Sequence, residues 1–220
     1  IITAMREHQK FISLRNKETG KVEGFILISN ILTLDKQKSL LSGNVNVLNA
    51  RLADALFFYN NDLNKIDKMG INCFYEDLKK VRFHEKLGTQ YDRVNRVSEI
   101  AVEMAKFFKE DPKLISKAAT LIKADLVSEM VTEFPVLQGV MGSKYSILDG
   151  YPIEIANAIR EHYSPIGPND SVPTSNVSII LAISEKLEYL TAFWSIGIKP
   201  TGSKDPFALR RASLGIIRII

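Results

Sequence analysis

The chain opens with strand-like stretches and then settles into apolar residues recurring at three and four. Residues 10–16 (KFISLRN) and 21–29 (KVEGFILIS) read as strands, with Asn16–Gly20 as the turn of a hairpin. Phe25, Ile26, Leu27 and Ile28 stand in a row, which predicts a second strand buried on both faces. From Asp35 to Leu63, residues such as Leu40, Leu48, Leu52, Ala55 and Tyr59 recur at helical spacing, with Arg51 and Asp54 on the polar side. Polar Asn60–Gly70 is the predicted hinge. Beyond it, helices are predicted over 91–109, 152–163 and 174–193, with a Pro/Gly loop over 164–173. Between the first two lies KLISKAATLIKADLVSEMVTEFPVLQGVMG, residues 113–142. There Leu114, Ala118, Leu121, Ile122, Leu126, Met130 and Phe134 form one apolar stripe. Asp111-Pro112 is its start signal and Pro135 its stop, and Gly139 and Gly142 are expected to loosen the chain after that proline.

Composition excludes several classes. Apolar and charged fractions of 45% and 25% are those of a folded globular chain. No apolar run reaches the length of a membrane span and no signal peptide opens the chain, so a cytoplasmic protein with no membrane partner is expected. A lone cysteine, Cys73, rules out an internal disulfide framework and a cysteine-rich zinc site. The Ile-Ile-Thr start and Arg-Ile-Ile end read as an excerpt of a longer protein.

Charge becomes informative once it is located. The net charge is +4, and Lys199, Lys204, Arg210, Arg211 and Arg218 stand against one acid, Asp205, while the rest of the chain balances. The surplus therefore sits in the last segment, facing either phosphates or ordinary solvent. A helix over 206–219 would put Phe207, Leu214 and Ile217 on one side and Arg211 and Arg218 on another. Gly202-Ser203-Lys204 resembles a fragment of an anion-binding turn. The cluster Phe57-Phe58-Tyr59 reads first as a core anchor, with base stacking as its alternative.

Chemistry is harder to find. Asp125 lies three residues after Ile122 and seven after Ala118, a carboxylate at the edge of the buried stripe beside Lys123. An inner acid among helices is similar to the HD phosphohydrolase pattern, in which histidines and aspartates hold a divalent metal. The match is incomplete. Ala124 precedes Asp125, Arg93 and Arg96 occupy the helix where a histidine is wanted, and His84 lies upstream. Glu185 or Glu188 would be the closing acid, and His162 adds at most one nitrogen. Arg93, Lys123, Asp125 and Glu185 are thus expected to line a vestigial pocket, with no metal and no catalytic residue. Its cations would either pair with Asp125 or present charge to an RNA end, with ion pairing the first reading. His8, without partners at ligand spacing, reads as structural or surface. Glycine-loop, HExxH and nucleophile-elbow signatures are missing.

Taken as ordered blocks, the chain is far more specific. TAMREHQKF, SNI, NVLNARLADALFFYNNDL, FHEKLGT, KADLVSEMVTEFPVLQGVMG and GIKPTGSKDPFALRRASLGIIRI closely resemble the β subunit of bacterial two-subunit glycyl-tRNA synthetase. That resemblance spans essentially all 220 residues. It implies a slice of a heterotetrameric ligase whose α subunit holds glycine and ATP (with Mg), while β binds tRNA. It also implies an HD-like domain without the full ligand set, and an anticodon-reading region beyond Ile220. The expected architecture is α+β, mainly α. A short β-hairpin/helix N-terminal piece (1–70) precedes an all-helical HD-like domain (71–197) and a basic element (198–220) opening the next helical region. Candidate tRNA contacts are Lys199, Lys204, Arg210, Arg211 and Arg218, and the partners are glycine tRNA and the α subunit. The alternatives are an active HD-type phosphohydrolase and a purely structural bridge between subunits.

Overall fold

The computed structural model describes Ile2, Met5 and residues 10–220, and it falls into two compact units, 1–61 and 62–220. His8 lies outside the described residues. The first unit holds an antiparallel hairpin, β1 (Ile12–Arg15) and β2 (Val22–Ile26), in the register Ile12↔Ile26 and Leu14↔Gly24. Asn16 builds the turn. Its Oδ1 accepts from the Glu18 and Thr19 amides at 2.8 and 2.9 Å, and Gly20 takes φ +68°. Phe11 stacks on Phe25 at 4.6 Å between centroids, and Met5, Phe11 and Leu48 form a small core under the hairpin.

Two expectations for this unit fail. The second strand is not buried on both faces: Ile26 is exposed, and Ile28, past its end, is 78% exposed. With one partner strand among the described residues and a small core, one face of the hairpin stays in solvent. Likewise Phe57 is 61% exposed and anchors no core, meeting Phe58 edge to face at 5.7 Å.

Helix α1 (Lys38–Met69) runs six residues beyond the predicted end, so the polar stretch expected as a hinge is helical as far as Met69. Gly70 then ends it at φ +69°. The division between units falls inside this helix, at Asn61/Asp62.

The second unit is helical apart from one short ladder, β3 (Arg82–His84) with β4 (Gly88–Thr89), a small departure from the all-helical expectation. After α2 (Asn72–Asp77) and this ladder comes α3 (Gln90–Phe108), opened by a reciprocal cap. Asp92 Oδ2 accepts from the Thr89 amide at 2.8 Å, and Thr89 Oγ1 accepts from the Asp92 amide at 3.2 Å. Helix α4 (Pro112–Leu121) starts as predicted, with the Asp111 carboxylate accepting from the Lys113 amide and proline in the first turn.

The single stripe over 113–142 does not form. A 3₁₀ turn at Ala124–Val127, α5 (Glu129–Glu133), a second 3₁₀ turn at Pro135–Leu137 and α6 (Val140–Leu148) replace it. Within α4 the buried face falls on Ile115 rather than Leu114, and after the first break Leu126 is only partly covered. Helices α7 (Ile153–Glu161), α8 (Asn176–Ser195) and α9 (Leu209–Ile219) complete the unit. Helix α8 is central, packing against α3, α4, α7 and α9.

Candidate functional site

The polar centre of the helical unit is built mainly by α3 and α8. Helix α8 is strongly apolar, yet it turns Glu185, Lys186 and Glu188 inward and leaves Leu187 on the outside. The reason lies across the interface: α3 presents Arg93, which binds both acids. Arg93 Nη2 donates to Glu185 Oε1 at 2.6 Å and Nε donates to Glu188 Oε2 at 3.0 Å. Its guanidinium also lies over the rings of Phe83 and Tyr189, at 4.6 and 5.0 Å. Arg96 Nε donates to Glu188 Oε1 at 2.9 Å, and Lys123 Nζ donates to Glu185 Oε1 at 3.1 Å. Lys123 also sits 3.6 Å from the centroid of the Tyr163 ring.

Charge is unevenly supported in this cluster. Burial pushes Lys123 down to about 7, although Glu185 works to hold its proton on. Burial also opposes the charge on Glu185, but Lys123 and Arg93 win and keep its carboxyl well below the usual range. Arg93 is held above its ordinary value because Glu185 and Glu188 outweigh its desolvation. Lys186 differs: Nζ donates only to the carbonyls of His162, Tyr163 and Ser164, at 3.2, 3.2 and 2.9 Å, and weakly to Ala182. Burial lowers its pKa, and Glu185 opposes that shift.

Asp125 stands apart from these cations, against the expectation that they would pair with it. Its Oδ2 accepts from the amides of Gly139 and Gly142 at 2.6 and 2.8 Å, while Oδ1 is buried without a hydrogen-bond partner. Burial raises its pKa to about 6 against the pull of those two amides. The two glycines therefore fix this carboxylate rather than loosening the chain. Gly139 takes φ +78°, and a Cβ at Gly142 would lie 2.9 Å from Ile159 Cγ2 and 3.1 Å from Asp125 Cγ. His162 is buried with Nδ1 on the Ile159 carbonyl at 2.6 Å, and burial holds its pKa well below the usual histidine value.

Arg93, Lys123 and Glu185 are thus brought into one cluster, and Asp125 lies outside its ion pairs. This donor set does not fit a divalent cation. Glu185 and Glu188 are occupied by arginine and lysine, and Asp125 points one oxygen at backbone amides. Among the described residues no three His, Cys, Asp or Glu side chains converge as a metal set.

Sequence reasoning missed Lys186, Tyr163 and Tyr189. For Lys186 and Tyr189 the signal was present in SEKLEY, a cluster of charges inside an otherwise apolar helix.

The basic element follows. Asp205 caps α9, accepting from the Leu209 and Arg210 amides at 2.8 and 3.0 Å, and Ala208 takes φ +52°. The helix thus begins at Leu209 rather than Pro206. Its inner face carries buried Leu209 and Gly215 with half-buried Ala212, and a Cβ at Gly215 would meet Lys186 Cε at 2.8 Å. Small residues let α9 close down on the Lys186 stem. Arg210, Arg211, Leu214, Ile217 and Arg218 consequently share the outer stripe, with Leu214 and Ile217 59% and 69% exposed. Only Phe207 turns inward, stacked on Phe193 at 4.4 Å, so the predicted grouping of Phe207, Leu214 and Ile217 is corrected.

Among the basic candidates, Arg218 is tied to the Gly167 and Asp170 carbonyls at 2.6 Å each. Arg210 and Arg211 are exposed and make no ion pair among the described residues, as are Lys199 and Lys204. Trp194, the one tryptophan of the chain, is half exposed at the end of α8. The Lys199 ammonium lies 6.0 Å from its ring centroid, and Arg210 and Leu214 line the same shallow hollow. No helix among the described residues is long and apolar enough to cross a membrane.

Comparison with known proteins matches residues 1–220 to the model of a family described as glycyl-tRNA synthetase beta subunit. The glycine–tRNA ligase beta subunit of a Ruegeria species is 52% identical over 220 residues, covering 99% of this chain and 32% of that protein. The beta subunit from Paracoccus denitrificans is 50% identical over 218 residues, again 99% of this chain and 32% of the relative. Phenylobacterium zucineum has one 47% identical, covering 100% of this chain and 33% of its own length. The chain therefore spans about a third of these relatives. Among solved structures, one described as a predicted HD superfamily hydrolase from an uncultured Thermotogales bacterium aligns with TM-score 0.44 and 20% identity, over 68% of this chain and 84% of that one.

Proposed function

Because the chain belongs to the glycyl-tRNA synthetase beta-subunit family, we propose that it serves the charging of tRNA with glycine by helping to hold the tRNA. In this reading the ATP- and Mg-dependent chemistry belongs to a partner α subunit, in the cytoplasm, and the slice contributes no reacting group. One observation carries it: Arg210 and Arg211 are adjacent, exposed and without an ion-pair partner among the described residues, on a helix that Lys199 and Lys204 precede. Unpaired surface arginines are suited to phosphate oxygens because their planar donors bind bidentately. Arg218 is the weakest of the five candidates, since its donors are already on carbonyls.

A second reading rests on the same helix. Leu214 and Ile217 interrupt the arginines with exposed apolar surface, which favours contact with another protein surface such as the partner subunit. Titration of the full-length protein with glycine tRNA at two salt concentrations separates the two. Phosphate contact predicts affinity falling with salt by a logarithmic slope of about 0.7–0.9 per contact. Reversing Arg210 and Arg211 together should then reduce the slope by about two contacts' worth. Unchanged tRNA affinity with impaired subunit assembly would overturn the tRNA-holding reading and leave the bridge.

A further inference from the structure

A second feature of the helical unit is a cavity of about 300 Å³ between α3, α8 and α9, beside the Tyr163–Ile166 segment. Four basic side chains line it: Arg93, Lys123, Lys186 and Arg211. Glu185 is its one acidic lining residue, and both Arg93 and Lys123 already bind it, at 2.6 and 3.1 Å. Glu188, outside the lining, takes the rest of Arg93. Two lining basic residues make no direct ion pair, Lys186 feeling Glu185 and Arg211 feeling Asp205 only at longer range. Lys186 is buried and donates to neutral carbonyls, and Arg211 stands at the exposed side with no ion pair among the described residues. A buried ammonium served only by carbonyls is costly, and a nearby anion offsets that cost.

The remaining walls are aromatic. Tyr163, Tyr189 and Phe207 face the same space, and Phe207 is held by its stack on Phe193. Positive charge beyond what one carboxylate neutralises, next to flat apolar faces, matches a ligand carrying a multiply charged anion and an aromatic ring. We propose that this cavity binds a nucleotide phosphate monoester without a metal, the phosphate between Arg211 and the Lys186 side of the pocket and the base against Tyr189 and Phe207. The phosphate comes either from a free mononucleotide or from the phosphorylated end of an RNA strand. Both present the same chemistry. The site is narrower than the exposed stripe proposed to hold tRNA. It does not rest on that proposal, since a mononucleotide cannot span the stripe.

The test is binding of adenosine monophosphate to the full-length protein by calorimetry in EDTA, with adenosine as the uncharged control. Binding of the monophosphate and not of the nucleoside is expected. Arg211→Glu, an exposed position that leaves the buried network intact, should weaken it by about tenfold or more, the size of one charge-assisted contact. Lys113→Glu makes the same change in net charge at an exposed lysine outside the cavity, and should leave the affinity unchanged. A short oligoribonucleotide with and without a 5′-phosphate separates the sources. A 5′-phosphate-dependent gain over the free nucleotide assigns an RNA end, and no gain assigns the free nucleotide. Equal binding of adenosine and its monophosphate, no binding at low salt, or equal losses in the two variants would overturn the proposal. Absence of tRNA binding in a wild-type protein that binds the monophosphate would count against the tRNA stripe alone.

Discussion

Gly142 donates its amide to Asp125 Oδ2 at 2.8 Å while leaving no room for a side chain beside that carboxylate. Together with the Gly139 amide it makes a backbone bracket for a buried acid. The bracket explains why the apolar run breaks after Leu121. The chain turns through Ala124–Val127 so that Asp125 meets amides far along the sequence.

The bracket makes stability depend on pH through Asp125. Its folded pKa, about 6, is raised above the ordinary 3.8, so the native state holds its proton more tightly than the unfolded chain. Its contribution is therefore fully favourable below 3.8 and is lost as pH rises through about 6, a change of roughly 3 kcal/mol. Asp125→Asn keeps an acceptor for both amides and removes the charge. Urea unfolding across this range should show the slope in wild type and its reduction in the variant. A slope that survives the substitution would assign it to another group.

Gly142→Ala should destabilise the helical unit by about 1–3 kcal/mol, because the added methyl must displace the fully buried Ile159. Gly43, inside α1 with nothing within 4 Å of a built Cβ, is the contrast. Gly43→Ala should stabilise by about 0.5–1 kcal/mol through helix propensity alone. Thermal unfolding of both variants checks the difference in sign.

Removing an acid from the α3–α8 cluster should cost more than removing its lysine. Glu185→Gln strands Lys123 and deprives Arg93 of one partner, and breaking such a buried pair costs about 3–5 kcal/mol. Lys123→Met leaves Glu185 with Arg93, and the lysine, at about 7, is only partly charged near neutrality. Its loss should be the smaller of the two in urea unfolding. Equal losses would mean that Arg93 does not sustain Glu185 alone.

Asp62 gives a further contrast. Its carboxylate accepts from the Glu129 and Met130 amides at 2.9 and 3.0 Å and from the Tyr145 hydroxyl at 2.7 Å, all buried or nearly so. Asp62→Ala should cost about 2–4 kcal/mol by leaving donors unpaired, whereas Asp62→Asn should recover part of it. Amide hydrogen exchange at Glu129 and Met130 would show the loss locally.

What was legible in the sequence was local. Asp111-Pro112 announces α4, Asn16–Gly20 announces the hairpin turn, and the spacing of Val94, Val97, Ala101 and Ala105 fixes the buried face of α3. The misread positions depend on partners far along the chain. Apolar Leu187 faces outward because Arg93, ninety-odd residues earlier, draws Glu185 and Glu188 inward. Leu214 and Ile217 face solvent because Gly215, on the opposite face, fits against Lys186. Periodicity ranks faces by hydrophobicity, whereas here close backbone approach and ion pairing choose the buried one. In the candidate site, Arg93, Lys123 and Glu185 do lie together, but Asp125 is held by backbone amides where a cation was expected.

Trp194 has a practical consequence. A chain with one indole emits from one place, and this one sits half exposed beside Lys199, in a hollow shared with Arg210 and Leu214 of α9. Anything that settles on the outer stripe of that helix changes the water and charge around a single fluorophore. Within these 220 residues, the single indole is thus an optical reporter built into the surface that the proposed function concerns.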